Sequence, residues 1–433
     1  MTIKKIGFAT AVSLVIANMI GTGVFTSLGF QVIGIHSLFA VLMLWVIGGV
    51  MALCGALVYG EIGAAFPQSG GEYNYLSKLY HPFVGFLSGW VSSTVGFAAP
   101  VALASMAFGK YAQSVFPNLN PTVLAVVILA LVTLLHATDL KSGAGFQRVL
   151  TYVKVGFVVF FIVAGLISNT PQNISVMPDQ NSFSDIFSNS AFAVSLFWVS
   201  YSYSGWNAAA YMTAEIEQPH KTLPRSLFIG TLIVTLVYIL LNYVFLLSAP
   251  VNELAGQVEI GHISATHIFG TNFGNLMGIV ISLLLVSSIS AMVMVGPRVI
   301  SSIANELKPL RFFSGTNKKG VPYIAVIFQS IVALVLILTA KFNEVLELIG
   351  FTLTLFTTLT VFGVFILRYK FKHIVRPYKT AFYPLTPIVF LIINGWILYY
   401  GFTSNINSSI YGLGIVALGA IVWWLASFKT DKA

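Results

Sequence analysis

Charge is what this chain has least of. Only 8% of its 433 residues are Asp, Glu, Lys or Arg, against about 25% in a soluble globular protein. So few charges cannot cover a water-facing surface of that size, which excludes a soluble fold. Cysteine is almost absent as well. Cys54 is the only one, so no intramolecular disulfide can form. Its place inside an apolar run argues against a disulfide-linked subunit. The seven histidines show no pair at convincing metal-site spacing, and zinc, P-loop and Gly-x-Ser-x-Gly motifs are missing. No metal, no cofactor and no catalytic set of acid, base and nucleophile is expected.

Apolar sequence fills the space instead. Hydrophobic residues make up 57% of the chain and the mean hydropathy is +0.89. A membrane-spanning helix takes about 20 apolar residues, whereas a transmembrane barrel strand takes about 10 with alternating character. The long runs therefore predict an all-α integral membrane protein. Twelve spans are read at roughly 7–34, 38–63, 82–109, 122–138, 148–169, 187–214, 226–248, 273–303, 322–340, 344–367, 384–402 and 409–427. The first is read as a retained helix, being longer than the apolar part of a signal peptide.

The net charge of +9 is a matter of topology. With the N-terminus inside, nineteen of the 22 Lys and Arg residues fall in inner segments. Lys110 and Lys341 fall outside, and Lys154 lies within a span. That bias follows the positive-inside rule. It puts both termini in the cytoplasm and removes any need for a nucleic-acid partner.

Two spans are interrupted at mid-depth. "VSLVIANMIGTGVF" (Val12–Phe25) and "VSLFWVSYSYSGWN" (Val194–Asn207) share Val-Ser-Leu at an offset of 182 residues, and the same offset carries Gly23 onto Gly205. Each patch lies about eight to eleven residues into its span, and eleven residues rise about 16 Å, close to half the hydrocarbon thickness. Glycines at this depth could serve close helix packing. They could equally mark unwound helices, whose free amides favour an anion and whose free carbonyls favour a cation. Two such breaks side by side can hold a zwitterionic amino acid without a charged side chain. Matching breaks in two halves of a chain point to an inverted-repeat transporter.

Four stretches carry a family resemblance. "IGTGVF" resembles the first-helix signature of the amino acid–polyamine–organocation (APC) superfamily. "EIGAAFPQSGGEYNYL" (Glu61–Leu76) resembles its loop after helix two. "SYSGWNAAAYMTAEIEQPHKTLPRSL" (Ser202–Leu227) resembles its helix six and the loop beyond, and "MVGPRVISSIANE" (Met294–Glu306) the end of helix eight. The chain looks most similar to bacterial homologues of the L-type amino acid transporters. The resemblance implies a LeuT-type fold of twelve helices, with helices 1 and 6 broken. It implies inverted repeats at 7–170 and 187–367, followed by helices eleven and twelve at 384–427, in a bacterial inner membrane.

The resemblance also implies a site. The substrate carboxylate is expected on the amides around Gly21, Thr22 and Gly23. The ammonium is expected on the carbonyls of Met19, Tyr201 and Ser204, with Ile20, Ser202 and Gly205 in the same pocket. Tyr201 falls where the family has an aromatic gate, and Ser204 where many members have glycine. Trp206 and Asn207 are packing or supporting residues. An intramembrane lysine is a functional candidate, although Lys154 could also snorkel to the interface. By resemblance its ammonium stands where sodium-coupled relatives bind sodium, with Ser287, Ser288 or Ser290 supplying oxygens. It would be a fixed cation or a proton carrier. Glu61 and Glu215 read as intracellular-gate or loop-anchoring partners, or as solvated charges.

None of the thirteen acids lies at mid-depth in spans one, three, six or eight, so a cationic side chain would lack a counter-ion. The expected function is sodium-independent, alternating-access transport of neutral L-amino acids, by exchange or with protons. Alternatives are a sensor or channel on the same scaffold, or a polyamine or cationic amino acid permease.

Overall fold

The computed structural model describes residues 5–138, 141–168, 172, 174, 177, 178, 182–306, 308–404 and 406–430. Residue 170, the expected end of the first repeat, lies outside the described residues, as do Lys4 and Lys432, two of the lysines expected on the inner side. The helices are α1 (Phe8–Met19), α2 (Leu28–Gly34), α3 (Leu38–Ala65), α4 (Gly71–Leu79), α5 (Pro82–Val91), α6 (Ala98–Val115), α7 (Pro121–Thr138), α8 (Lys141–Leu166), α9 (Ser182–Phe187), α10 (Ser190–Tyr203), α11 (Pro219–Ser248), α12 (Val251–Leu254), α13 (Ile260–Phe269), α14 (Thr271–Glu306), α15 (Tyr323–Thr339), α16 (Phe342–Lys370), α17 (Leu385–Ser404) and α18 (Ile406–Thr430). Among the described residues the one β pairing is a bridge between Ile6 and Ile216. Eight helices are long and apolar enough to cross a membrane, and Phe8–Met19, Tyr152–Leu166 and Tyr323–Thr339 are shorter apolar helices. The molecule is an all-helical membrane protein, as its composition requires.

The first span is one run of apolar sequence but not one helix. α1 stops at Met19, a 3-10 turn covers Gly23–Phe25, and α2 resumes at Leu28. The sixth is α10 followed by a 3-10 segment, Ala208–Glu215. The third is continuous in direction but carries a π-helical stretch, Ser92–Gly96, between α5 and α6. Two starts lie earlier than the apolar runs suggest. α11 begins at Pro219 instead of 226, because Pro219 stands in its first turn, where its fixed φ and missing N–H fit. α8 begins at Lys141 instead of 148. The loop helices α4 and α13 escape a reading by hydropathy because they are short, at nine and ten residues.

The helices divide into two groups. α1, α3, α10 and α11 pack on one another, and so do α6, α7, α14 and α15. The second group has an apolar core of its own, including Val101, Leu129, Ile289, Val293, Val326 and Ala333. The 3-10 turn of the first span packs on α10 and the 3-10 segment of the sixth on α1, α4 and α11, while the π-helical stretch packs on α5, α6, α14 and α16.

One buried ion pair fastens the end of α3 to the rest. The Glu61 side chain is fully buried. Arg368 of α16 donates to both its oxygens, Nε to Oε1 at 2.9 Å and Nη2 to Oε2 at 2.7 Å. The Thr380 amide adds a bond to Oε2 at 2.7 Å, and the Arg368 guanidinium lies 3.5 Å over the Tyr383 ring. Removing one partner of such a pair strands the other, at a cost of about 3–5 kcal/mol. Glu61→Gln should therefore lower the thermal-unfolding midpoint of the purified protein well below that of Arg376→Ala, whose guanidinium is 3.9 Å away and part-exposed. Equal midpoints for the two variants would show that the pair does not hold these elements.

Candidate functional site

The break in the first span leaves backbone groups without helical partners. Ile20 turns to extended geometry after Met19. The amides of Gly21, Thr22 and Gly23 donate to no backbone carbonyl, whereas the carbonyls of Thr22 and Gly23 accept from Phe25, Thr26 and Ser27. No backbone carbonyl takes these three consecutive amides at mid-span, although the Tyr238 hydroxyl stands at the Gly21 amide; such a run makes a concavity suited to an anion. In a membrane such groups cost several kcal/mol each unless protein, water or ligand meets them.

The second break fits against the first. Ser204 ends α10 with its amide on the Tyr201 carbonyl. Gly205 follows at φ +94°, the left-handed region where a side chain is strained. A Cβ on Gly205 would stand 2.8 Å from the Asn18 carbonyl oxygen, and one on Gly23 would stand 2.7 Å from Ser202 Cα. Glycine at these two points is what lets the broken helices touch. The close backbone approach is made at Gly205, one residue after the serine that stands where many family members have glycine. Ser27 and Ser202 share a hydrogen bond between their hydroxyls at 3.2 Å. Tyr238 of α11 reaches both breaks, its hydroxyl donating toward the carbonyls of Met19 and Ser202. Nothing in the apolar run around Tyr238 distinguishes it from a packing tyrosine, so this role has no signature in the sequence.

A cavity lies at this junction. Met19, Ile20, Gly21, Thr22, Gly23, Tyr201, Ser202 and Ser204 all line it, and so do Lys154 and Ser288. Asn18 and Pro100 belong to the same wall. Asn18 stands inside the quoted first-span motif and is readable from it, but Pro100 carries no signal. The Lys154 ammonium is buried and donates to the Ile20 carbonyl and to Ser288 Oγ, both at 3.0 Å. Its bonds run inward, so it does not snorkel. It takes one of the carbonyls that the break frees and ties it to α8 and α14. Ser287 is buried and outside the lining, as is Ser290, which hydrogen-bonds His136 at 2.8 Å.

A larger cavity adjoins through Asn18, Pro100, Ser204 and Met292, which line both. Its wall includes Gly205, Trp206, Asn207, the π-helical residues Ser92 and Gly96, and Glu72. Trp206 packs edge-on against Tyr59 at 4.6 Å between ring centroids. A π-helical stretch widens one turn and often marks a functional wall. Glu72 lies outside every apolar span, so its sequence position carries no sign of burial. It comes from α4, between two spans, and folds inward. Its Oε1 accepts from Tyr59 at 2.8 Å and from Asn207 Nδ2 at 2.9 Å. Burial without a cation pushes its carboxyl up to about 7. Of the two expected gate acids, Glu61 is held by Arg368. The Glu215 side chain is exposed, and its contact is through the backbone, its carbonyl accepting from the Ile6 amide at 2.7 Å.

The two glycines of the first break should respond differently to a methyl group. On Gly21 a Cβ meets only the Met19 carbonyl oxygen, at 3.7 Å, an ordinary contact. On Gly23 it collides with Ser202. Overpacking of that kind costs about 1–3 kcal/mol. Gly23→Ala should lower the unfolding midpoint clearly and Gly21→Ala little. The opposite order would mean that the breaks are not packed as described.

Residues 6–426 match the family model described as amino acid permease. The chain is 30% identical over 421 residues to the serine/threonine exchanger SteT of Bacillus subtilis, covering 95% of this chain and 94% of that protein. It is 26% identical over 438 residues to the large neutral amino acids transporter small subunit 2 of Mus musculus, covering 99% and 82%. The Asc-type amino acid transporter 1 of Mus musculus gives the same identity and coverage. With its broken first and sixth helices of the LeuT type, the chain belongs to the amino acid permease family of the APC superfamily, a family of membrane transporters and not of enzymes.

Proposed function

We propose that the protein exchanges neutral L-amino acids across a bacterial inner membrane without sodium. The observation that carries this reading is the run of three amides without a backbone partner at Gly21–Gly23, beside a buried lysine that already supplies a cation. The amides bind the substrate carboxylate. The substrate ammonium meets the carbonyl face of the two breaks, where Met19, Tyr201 and Ser204 are placed, and Tyr201 closes over the side chain. The Lys154 ammonium holds the Ile20 carbonyl against Ser288, a fixed bridge between the first break and α14, so no metal cation is required there. Within the smaller cavity no carboxylate is available to a cationic side chain, which favours neutral substrates. The relatives named above, an exchanger of serine and threonine among them, support exchange as the mode.

The chain crosses the membrane twelve times with both termini cytoplasmic, α1–α8 forming one repeat and α10–α16 the other. Access alternates as the group of α1, α3, α10 and α11 rocks against the group of α6, α7, α14 and α15. The separate apolar core of the second group supports its moving as a body. Glu61 and Arg368 fasten the cytoplasmic end of α3.

In proteoliposomes, labelled L-serine or L-alanine should enter saturably when unlabelled amino acid is inside, at equal rates in sodium and in potassium buffer. A requirement for sodium, or binding without uptake, would overturn the reading. Lys154→Ala should reduce uptake at least about tenfold, the loss of one buried charge-assisted hydrogen bond being worth about 1.5–3 kcal/mol, with the protein still folded. Unchanged uptake would reduce Lys154 to a packing role.

A further inference from the structure

Glu72 has no task in the exchange mechanism described so far, and its surroundings are unusual. The side chain is 3% exposed and forms part of the wall of the larger cavity. Both donors converge on Oε1, and no cation pairs with either oxygen among the described residues. The elements packed against α4 are α3, α5, α16 and the 3-10 segment. α3 brings the Tyr59 hydroxyl, and its Glu61 is occupied by Arg368 of α16. The 3-10 segment brings Tyr211, which lines the same cavity, and the exposed Glu215. α5 brings no ionisable group inward. His81, ahead of it, is exposed and accepts from the Phe83 amide. On α16, Thr357 lines the cavity, Glu344 and Glu347 sit in the opposite end of the helix, and Tyr369 and Lys370 are exposed. On α4 itself Tyr75 is buried, and the Lys78 ammonium donates to Gln68 and lies over the Phe66 ring.

A buried carboxylate met only by neutral donors is neutralised either by a proton or by a visiting cation. The position of its second donor decides what neutralisation does. Asn207 lies between Gly205, where the second break turns, and the 3-10 segment that begins at Ala208. The ionised carboxylate therefore ties the far side of the break to α3 and α4.

We propose that Glu72 is a proton-binding site of the transport cycle, loaded from the water of the larger cavity, and that its protonation frees the segment after the second break from α3 and α4. The step is a proton transfer alone: the carboxylate takes one proton from cavity water and becomes a neutral carboxyl. Hydrogen bonds to a neutral carboxyl are weaker than those to a carboxylate, so the tie through Asn207 loosens as the proton arrives. The proposal rests on the exchange reading of the same cavities.

The test is exchange in proteoliposomes with the outside held near neutral and the inside varied from about pH 5.5 to 8.5, a window that brackets a carboxyl raised by burial. Wild-type exchange should quicken several-fold as the inside is acidified. Glu72→Gln, which keeps an acceptor for both donors, should bind substrate and exchange at one rate throughout. Asn207→Ala keeps the carboxyl but removes a donor that favours its charged form, so its midpoint should move to higher pH. An identical profile in wild type and Glu72→Gln, or an unmoved midpoint in Asn207→Ala, overturns the proposal. So does a Glu72→Gln protein that keeps the wild-type profile and loses only the binding of L-lysine, which would assign the carboxylate to a substrate cation. Infrared difference spectra between acidic and alkaline samples give a readout independent of transport. They should contain a protonated-carboxyl band that is missing in Glu72→Gln, and a band unchanged in that variant overturns the proposal. Wild-type protein that takes up nothing at any pH but shows the band contradicts the exchange reading and leaves the proton site standing.

Discussion

Everything else in this molecule is arranged around backbone amides that have no backbone partner in the middle of a membrane. Hydrocarbon offers no hydrogen bonds, so each such group is expensive unless the protein surrounds it with its own polar atoms or with a ligand. The chain supplies its own polar atoms to the carbonyls. The carbonyls freed by the breaks are met from within, Ile20 by Lys154, and Met19 and Ser202 by Tyr238. The amides of Gly21, Thr22 and Gly23 are left toward a cavity. Each of these carbonyls keeps a second lone pair, so under the proposed function the two breaks offer amides to a carboxylate and carbonyl oxygens to an ammonium.

Holding that arrangement requires contact at backbone range. Gly23 against Ser202 and Gly205 against Asn18 supply it, and Ser27 and Ser202 add a hydroxyl pair across the same seam. The breaks therefore behave as one unit, fastened to α11 by Tyr238 and to α8 and α14 by Lys154. Those fasteners run to both helix groups. The carboxylate of Glu72 and the amide of Asn207 extend the same logic away from the centre, toward the far end of the second break.

Much of this was legible in the sequence because low charge and long apolar runs leave little freedom. The helical membrane class, the span order, the interruptions at Gly21–Gly23 and Ser204–Gly205 and the singular position of Lys154 follow from composition, spacing and motif. What escaped reading depends on three-dimensional closure. Tyr238 is a tyrosine in an apolar run, and only folding shows that its hydroxyl lies between two helix ends. Glu72 sits in a loop motif beside polar neighbours, so asking which acids lie inside spans passes over a loop acid that folds back into a cavity wall. The π-helical stretch at Ser92–Gly96 has no recognised local signature, since an added residue per turn depends on what the turn packs against. The distinction between Gly21, which faces open volume, and Gly23, which faces Ser202, is likewise set by the partner helix.

The claim that the amides of the first break bind a carboxylate is tested most directly by calorimetric titration of the purified protein with a neutral L-amino acid and with its carboxamide. The two ligands share size, ammonium group and side chain and differ in the anion alone. Hydrogen bonds to a charged group contribute about 1.5–3 kcal/mol each, so two of them predict binding of the carboxamide at least about a hundredfold weaker, with the amino acid itself binding saturably. Equal affinities for the two ligands would show that the carboxylate does not sit on Gly21–Gly23.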